Sequence, residues 1–436
     1  MPQKKRVACV GTGGRNWMFT KAVINDYNDI TELVAICDLN QTRMDLLNRR
    51  IKDAGGNPVP TYKSDDFDLM IEKEKPDVVI VTTMDRTHHQ YIIRAMELGC
   101  DAISEKPMTV DEEKCQAIVD TVKETNKNLT VTFNYRYSPR NTKVKELIRS
   151  GEIGDVLSVH FEWFLDTSHG ADYFRRWHRH KNNSGGLLVH KSTHHFDLVN
   201  WWLDTTPEQV FAYGQLGFYG RENAEQRGIT QFYERATGNP LAKDDPFALH
   251  LDKGLNKEMY FDAEHEDGYR RDQNVFGDGI NIEDTMSVIV RYKNKTQLTY
   301  SLNAHCPKEG YRVIFNGTKG RIELNVGENS YVSGSDDDIN LPENRDFENL
   351  PETNTPAIIL HRHWGKPMTV PFEKAVGGHG GGDVRLLDHV FRGVDDDPLG
   401  HAAGWKDGAM SILTGVAANR SIATNQPVNI DSLVRI

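Results

Sequence analysis

The sequence predicts a doubly wound α/β domain followed by an α+β domain with a mostly antiparallel open sheet, divided as residues 1–133 and 134–436. Three observations carry that expectation. Short β-branched runs alternate with helical patterns in the first part, a glycine-rich turn follows the first of those runs, and beyond Tyr137 the rhythm changes to strands at hairpin-like spacing.

The first runs fall at 7–10, 33–37, 78–82, 101–104 and 129–133. Apolar runs this short, with helices between them, fit strands buried on both faces of a parallel sheet. Next come a helix at 141–150, a strand at 156–165 and a single helix at 187–203, ending in Trp201 and Trp202, which suit core or interface packing. Strands recur at 209–213, 285–292, 296–304, 311–316 and 321–326, with Lys293-Asn294-Lys295 as one turn, which argues an antiparallel α+β domain. Residues from about 220 to 279 are polar, charged and aromatic without clear periodicity. Such a stretch is too long for an idle loop, so it reads as a substrate-covering or subunit-contacting insertion, or as partly disordered. The stretch 333–351, rich in Asp, Asn and Glu, reads as a solvated loop, and 383–425 as helix interrupted near Asp395-Asp396-Asp397-Pro398.

Composition bounds the function. The 436 residues carry 52 Lys+Arg against 63 Asp+Glu, a net charge of −11, and no basic stripe offsets it, which argues against a nucleic-acid or anionic-membrane partner. Hydrophobic content of 38% with 26% charged residues describes a folded globular chain, and no run reaches the roughly 18 apolar residues of a membrane span. Cys9, Cys37, Cys100, Cys115 and Cys306 form no C-x-x-C pair, so they read as reduced thiols, with neither a disulfide framework nor a cysteine zinc site. The first strand pattern begins by residue 6, which leaves no room for a signal peptide's apolar stretch, and the expectation is a cytoplasmic protein.

Strand one runs into Gly11-Thr12-Gly13-Gly14-Arg15-Asn16. After a strand and before a helix, glycines let the backbone approach a pyrophosphate at the helix N-terminus, although an ordinary Gly-rich βα turn has the same composition. Asn16 replaces the third glycine of G-x-G-x-x-G. Asp38, at the end of strand two, suits both ribose hydroxyls and repels a 2′-phosphate, so NAD is expected over NADP. Arg43 reads as a solvated helix cation, with stacking on adenine as the alternative.

At Asp101-Ala102-Ile103-Ser104-Glu105-Lys106-Pro107 the chain resembles the Gfo/Idh/MocA oxidoreductases, whose E-K-P motif follows a Rossmann strand. The resemblance extends through Val79-Ile80-Val81-Thr82-Thr83-Met84-Asp85-Arg86-Thr87-His88, Phe133-Asn134-Tyr135-Arg136-Tyr137 and the run from Ser184 through His190, His194 and His195 to Asp197. It implies an N-terminal Rossmann domain, catalysis by Lys106 and His194 at a substrate carbinol, and cofactor contacts from Gly11, Gly13, Gly14, Arg15, Asn16, Asp38, Thr83, His88, Glu105 and Asn134. Two departures stand in the last motif: His190 where many relatives have aspartate, and Ser192 where they have glycine. The family's Lys-Asp-His arrangement is thus incomplete, and Met84 stands where proline is common.

Oxidising a secondary alcohol needs a hydride to leave carbon while a proton leaves oxygen. A lysine stabilises the oxygen by charge, and a histidine accepts the proton near neutral pH. Lys106 fits the first task, though an interfacial lysine also forms ion pairs. His190 and His194, spaced i, i+4, fall on one face of the expected helix with His195 beside them, and read as a hydrogen-bonded pair lining a sugar pocket, with His190 a third catalytic candidate and His195 and His379 substrate contacts. With His178 and His180 a metal site comes into view, but zinc needs three or four converging ligands, and no metal is expected. Trp163, Tyr173, Arg176, Trp177 and His178 mix aromatic planes with donors, as a carbohydrate site does, and Arg136 joins them; aromatics there serve packing just as often. Gly377-Gly378-His379-Gly380-Gly381-Gly382-Asp383 looks like the Gly-His-Gly-Gly segment of the family's NAD-dependent glycoside hydrolases, or is a flexible turn before a helix.

The expected function is an NAD(H)-dependent oxidoreductase acting on a secondary hydroxyl of a sugar, glycoside or polyol. A redox-cycling glycosidase and a non-catalytic dinucleotide sensor are the alternatives. The small-molecule partner is a carbohydrate, and the open sheet of 285–326 predicts a homo-oligomer, dimer or tetramer.

Overall fold

Two sheets organise the computed structural model, which describes residues 3–334, 356–374, 378–394 and 396–436. The solvated loop expected at 333–351 lies outside the described residues from 335 onward. In the first sheet β1 (Lys5–Val10), β2 (Thr31–Asp38), β3 (Thr61–Lys63), β4 (Val78–Val81), β5 (Asp101–Ser104) and β6 (Leu129–Val131) run in the order β3-β2-β1-β4-β5-β6. Every neighbouring pair is parallel. The Val/Ile density of β1 and β4 has its physical origin here: helices cover both faces, so Val7 to Val10 and Val78 to Val81 are all buried. β3 was not legible because its three half-buried residues make no apolar run.

The second sheet holds β7 (Val156–Asp166), β8 (Pro207–Gln215), β9 (Thr285–Tyr292), β10 (Gln297–Cys306), β11 (Gly310–Gly317), β12 (Gly320–Gly327), β13 (Ala357–Arg362), β14 (Met368–Val370) and β15 (Val428–Asn429). Their order is β14-β13-β12-β11-β7-β10-β9-β8-β15, antiparallel throughout except for the β7–β10 pair. β9 shows the logic of one buried face: Met286, Val288, Val290 and Tyr292 point inward while Ser287, Ile289 and Arg291 point outward. The opposite face carries exposed Tyr213 and Ile289.

Residues 187–203 do not form one helix. Leu187–His190 is a single turn, and α3 starts afresh as Thr193–Leu203. Between them Ser192 N–H reaches back five residues to Leu187 O (2.9 Å), and the Ser192 hydroxyl pairs with Tyr300 Oη on β10 (2.8 Å). That widened turn inserts a register shift, so His190 and His194 do not share a helix face. No helix among the described residues is long and apolar enough to cross a membrane.

Three segments of the later chain return to the first sheet. Helix α4 (Gly378–Arg392) supplies Leu387, Val390 and Phe391 to the cluster around Val7, Phe19 and Tyr27. Ala403 O accepts from Val131 N–H (3.0 Å) just before helix α5 (Trp405–Thr424). The insertion at 220–279 docks part of its length on the first domain, where Met259 O, Ala263 O, Glu266 and Asp267 meet residues 40–43. Its docking surface is the cofactor domain, an outcome the sequence did not suggest.

Candidate active site

The turn after β1 is set by crowding. Gly11 has φ +86°, and a Cβ there would lie 2.6 Å from the Thr82 and Thr83 backbone at the end of β4. Beyond it, among the described residues, the N–H groups of Gly13, Gly14 and Arg15 find no acceptor, and nothing stands within 4 Å of where a Gly13 Cβ would be. Open N–H groups at a glycine turn fit a pyrophosphate. Asn16, fully buried, does other work: its Nδ2 donates to Thr82 Oγ1 (3.2 Å) and its Oδ1 accepts from Thr20 (2.6 Å), pinning helix α1 (Asn16–Lys21) to β4. Asp38 Oδ2 accepts from Thr12 N–H (2.5 Å) and Thr12 Oγ1 (2.8 Å), and Oδ1 from Asn40 N–H (2.9 Å), so its carboxylate is held rigid at the strand end. Arg15 bridges to Glu105 Oε1 (2.7 Å) and Asp383 (3.7 Å). Asn134 donates to Asp383 Oδ1 (2.6 Å) while its own Oδ1 is buried without a partner, an acceptor available to a bound amide. These features fit a dinucleotide. Thr83 turns its carbonyl to His88, whose other ring nitrogen meets Pro107 O (3.0 and 2.8 Å). His88 is therefore a strut between two loops, with no nitrogen left for a cofactor.

The break at Lys191–Ser192 has a chemical consequence. Lys106 Nζ, just past β5, donates to the His190 carbonyl (3.3 Å). Loss of solvent brings the Lys106 ammonium down to about 8, reinforced by Lys191 and opposed by Glu105 and Asp85. His190 Nδ1 contacts Asp85 Oδ2 at 2.5 Å. Burial drives both partners toward their neutral forms, the carboxyl up and the imidazole down. Asp85 restores in space the carboxyl group that the sequence lacks at position 190. The expected His190–His194 hydrogen bond is absent. His194 instead packs edge-on against Tyr135 (4.9 Å), with His379 at 5.7 Å, and both its buried ring nitrogens lack partners. Burial, then the charge of Lys106, depresses its pKa well below the usual range, so the imidazole is neutral.

Asp85, His178 and His190 place one ligand atom each within 4.8 Å of one another. Their residue types would suit a divalent cation, but Lys106 and Arg176 both oppose positive charge on the two histidines. The cluster is better read as proton-handling and hydrogen-bonding, with the buried, unpartnered His178 Nδ1 as a further contact. Trp177 stacks on His178 (3.5 Å), and Arg176 pairs with Asp172 (2.8 Å). Both stay half-buried at this cluster. His379 Nδ1 meets Asp383 (3.1 Å) across the turn that opens α4. Burial pushes the Asp383 carboxyl up, but His379 and Arg15 outweigh it and hold it below the usual carboxylate range.

Three substrate candidates belong to the core. Trp163 is fully buried, with one face on His195 (4.1 Å) and the other on Tyr311 (4.7 Å), which leaves no face for a sugar. His195 in turn bonds Tyr300 Oη (2.7 Å). Arg136 spends its guanidinium on Asp197 (2.8 and 2.6 Å), Asp407 (2.8 Å) and Gly400 O (3.1 Å). Arg136→Met strands the buried Asp197 charge and should destabilise the fold by about 3–5 kcal/mol in denaturant unfolding, with nucleotide affinity unchanged. A stability change under about 1 kcal/mol would return Arg136 to the list of ligand residues.

Arg43 is no solvated cation. Its Nη1 pairs with Asp267 (2.5 Å), its Nε donates to Met259 O (3.0 Å), and the rings of Tyr260 and Tyr269 flank it. Sequence reasoning also missed Asp85 and Asp383 as partners. The i, i+4 spacing of His379 and Asp383 was the one visible signal.

Two family models match the chain: "Oxidoreductase family, NAD-binding Rossmann fold" over residues 5–133, and "Oxidoreductase family, C-terminal alpha/beta domain" over residues 145–430. The chain is 36% identical to YteT of Bacillus subtilis (strain 168) over 99% of both chains. A glycosyl hydrolase family 109 protein of Shewanella putrefaciens is 30% identical over 41% of each chain. Among solved structures, levoglucosan dehydrogenase in complex with NADH and levoglucosan has the same fold, with TM-score 0.64 at 19% identity over 98% of this chain and 100% of that one.

Proposed function

The chain belongs to the Gfo/Idh/MocA oxidoreductase family, and on that premise we propose that it oxidises or reduces a secondary hydroxyl of a sugar, polyol or glycoside, with Lys106 and His194 at the reacting oxygen. The observation that carries the reading is a half-buried ammonium, Lys106, whose charge acts on a neutral and unpartnered imidazole, His194, beside a turn suited to a dinucleotide. When bound, NAD supplies the hydride acceptor. Lys106 holds the substrate oxygen and stabilises negative charge developing on it, while the His190 carbonyl fixes the ammonium's position. His194 takes the hydroxyl proton. Arg176, Trp177 and His178 contact the remainder of the ring. The levoglucosan complex and the glycosyl hydrolase relative are consistent with carbohydrate as the substrate class.

One observation favours a second reading, redox-cycling glycoside cleavage. The His379–Asp383 pair sets a second carboxylate-backed imidazole 5.7 Å from His194, both rings edge-on to Tyr135 (5.1 and 4.9 Å). Purified protein incubated with a panel of glycosides, with and without added NAD, separates the two. NADH absorbance rising in step with substrate loss supports the dehydrogenase. Sugar release without net NADH, abolished in His379→Ala, supports the glycosidase. Neither signal on any glycoside or polyol would sink both.

We further propose a homo-oligomer, dimer or tetramer, formed through the outer face of the second sheet, where Tyr213 and Ile289 are exposed. Light scattering at micromolar concentration should show more than one chain per particle, and Ile289→Lys should shift it toward monomer; a monomeric wild type would overturn this. A cytoplasmic location accords with five unpaired cysteines.

A further inference from the structure

We propose that Glu266 and Asp267, on the 220–279 insertion, are specificity residues that exclude NADP by occupying, from within the chain, the cationic and N–H groups that would otherwise receive its 2′-phosphate. The proposal rests on NAD being the cofactor.

The adenosine ribose of a bound dinucleotide lies at the carboxylate ending the second strand, here Asp38, so a 2′-phosphate would project over the residues that follow. Those residues assemble an anion site. Helix α2 (Gln41–Asp53) begins there, with Asn40 as its cap and the N–H groups of Gln41 and Thr42 pointing outward. A 13-residue helix places partial positive charge at that end. Arg43 adds a guanidinium. Lys63 adds an ammonium, because β3 pairs with β2 in a register that sets Lys63 opposite Asp38.

These donors are already taken, save Arg43 Nη2, which is buried without a hydrogen-bond partner. Glu266 accepts from Gln41 N–H (2.7 Å), Thr42 N–H (2.7 Å) and Lys63 Nζ (2.8 Å). Asp267 accepts from Arg43 Nη1 (2.5 Å) and Asn40 Nδ2 (3.3 Å). The first turn of α2 contains no acidic residue of its own, so the two carboxylates come from more than two hundred residues away. Burial raises the Glu266 carboxyl, but Lys63, Thr42 and Gln41 together hold it well below its usual range. Glu266 thus stands as a fixed anion where a phosphate would sit. An incoming 2′-phosphate, carrying about −1.5 to −2 charge, would have to expel both carboxylates or face them together with Asp38. NAD, with a hydroxyl at that position, meets no such conflict.

A purely mechanical role, fastening the insertion to α2, makes a different forecast. Loosening the fastening would alter the affinities for both nucleotides alike, whereas an anion gate alters NADP alone.

Calorimetric titration of wild type, Glu266→Gln, Asp267→Asn and the double variant with NAD and NADP decides between them. Wild type should bind NAD the more tightly. Each single variant should strengthen NADP binding by about tenfold, the scale of one charge-assisted hydrogen bond, with NAD affinity within about threefold of wild type. The double variant should gain more than either. Asp38→Ala should contrast with these by weakening NAD itself. An unchanged NAD:NADP ratio in the double variant, or parallel changes in both affinities, would overturn the proposal. Thermal melting shows whether each variant folds; should Glu266→Gln melt far below wild type, Asp267→Asn, which leaves the Glu266 contacts in place, decides alone. A wild type that binds neither nucleotide would instead overturn the cofactor reading.

Discussion

Lys106→Met should lower kcat by about a hundred- to a thousandfold, the usual loss when a preorganised donor to a developing oxyanion is removed, while NAD affinity stays near wild type. Affinity is spared because the groups suited to the nucleotide, the open N–H groups after Gly11 and the Asp38 carboxylate, do not depend on Lys106. The same ammonium sets a pH dependence. Its pKa is lowered to about 8, first by loss of solvent, so the charge is present below that pH and is lost as pH rises through it. The kcat/KM profile should therefore fall on an alkaline limb near pH 8. Lys106→Arg, which cannot deprotonate in that range, should lack the limb whatever its residual rate. A wild-type rate that climbs through pH 8 would assign Lys106 as the base and reverse the roles of the pair.

The second large effect belongs to His194. Sequence alone suggests that His190 or His195 could take over from it, since all three lie within six residues. The structure occupies one nitrogen of each understudy, His190 Nδ1 with Asp85 and His195 Nδ1 with Tyr300, and stacks His195 on the fully buried Trp163, whereas His194 keeps both nitrogens open. His194→Ala should accordingly cost about two to three orders of magnitude in kcat, the range of a general base. Stability should move little or rise, because both ring nitrogens are buried without partners and their removal relieves an unsatisfied polar group. Activity within tenfold of wild type would show that the proton leaves by another route.

What was legible followed from periodicity and from local chemistry. The runs at 7–10 and 78–82 identify themselves as doubly buried strands because no polar residue interrupts them, and the glycine turn and Asp38 sit at fixed offsets from strand ends. What was hidden depends on distant neighbours. Nothing local to Leu187–Leu203 announces the widened turn, which is drawn by Tyr300 more than a hundred residues on. Trp163 and Arg136 have the composition of a sugar site, yet His195, Tyr311 and Asp197 consume their faces and donors. Residues 254–269 show no period because they are shaped by α2 rather than by their own repeat.

Helix α4 carries a consequence for biosynthesis. Leu387, Val390 and Phe391 complete the core beneath β1, so the N-terminal sheet leaves the ribosome some 250 residues before the side chains that seal it. During that interval the apolar ground around Phe19 and Tyr27 faces the solvent, a state that invites chaperone capture and aggregation. A fragment ending at residue 133 would remain in that condition permanently, binding hydrophobic dyes and falling to proteases.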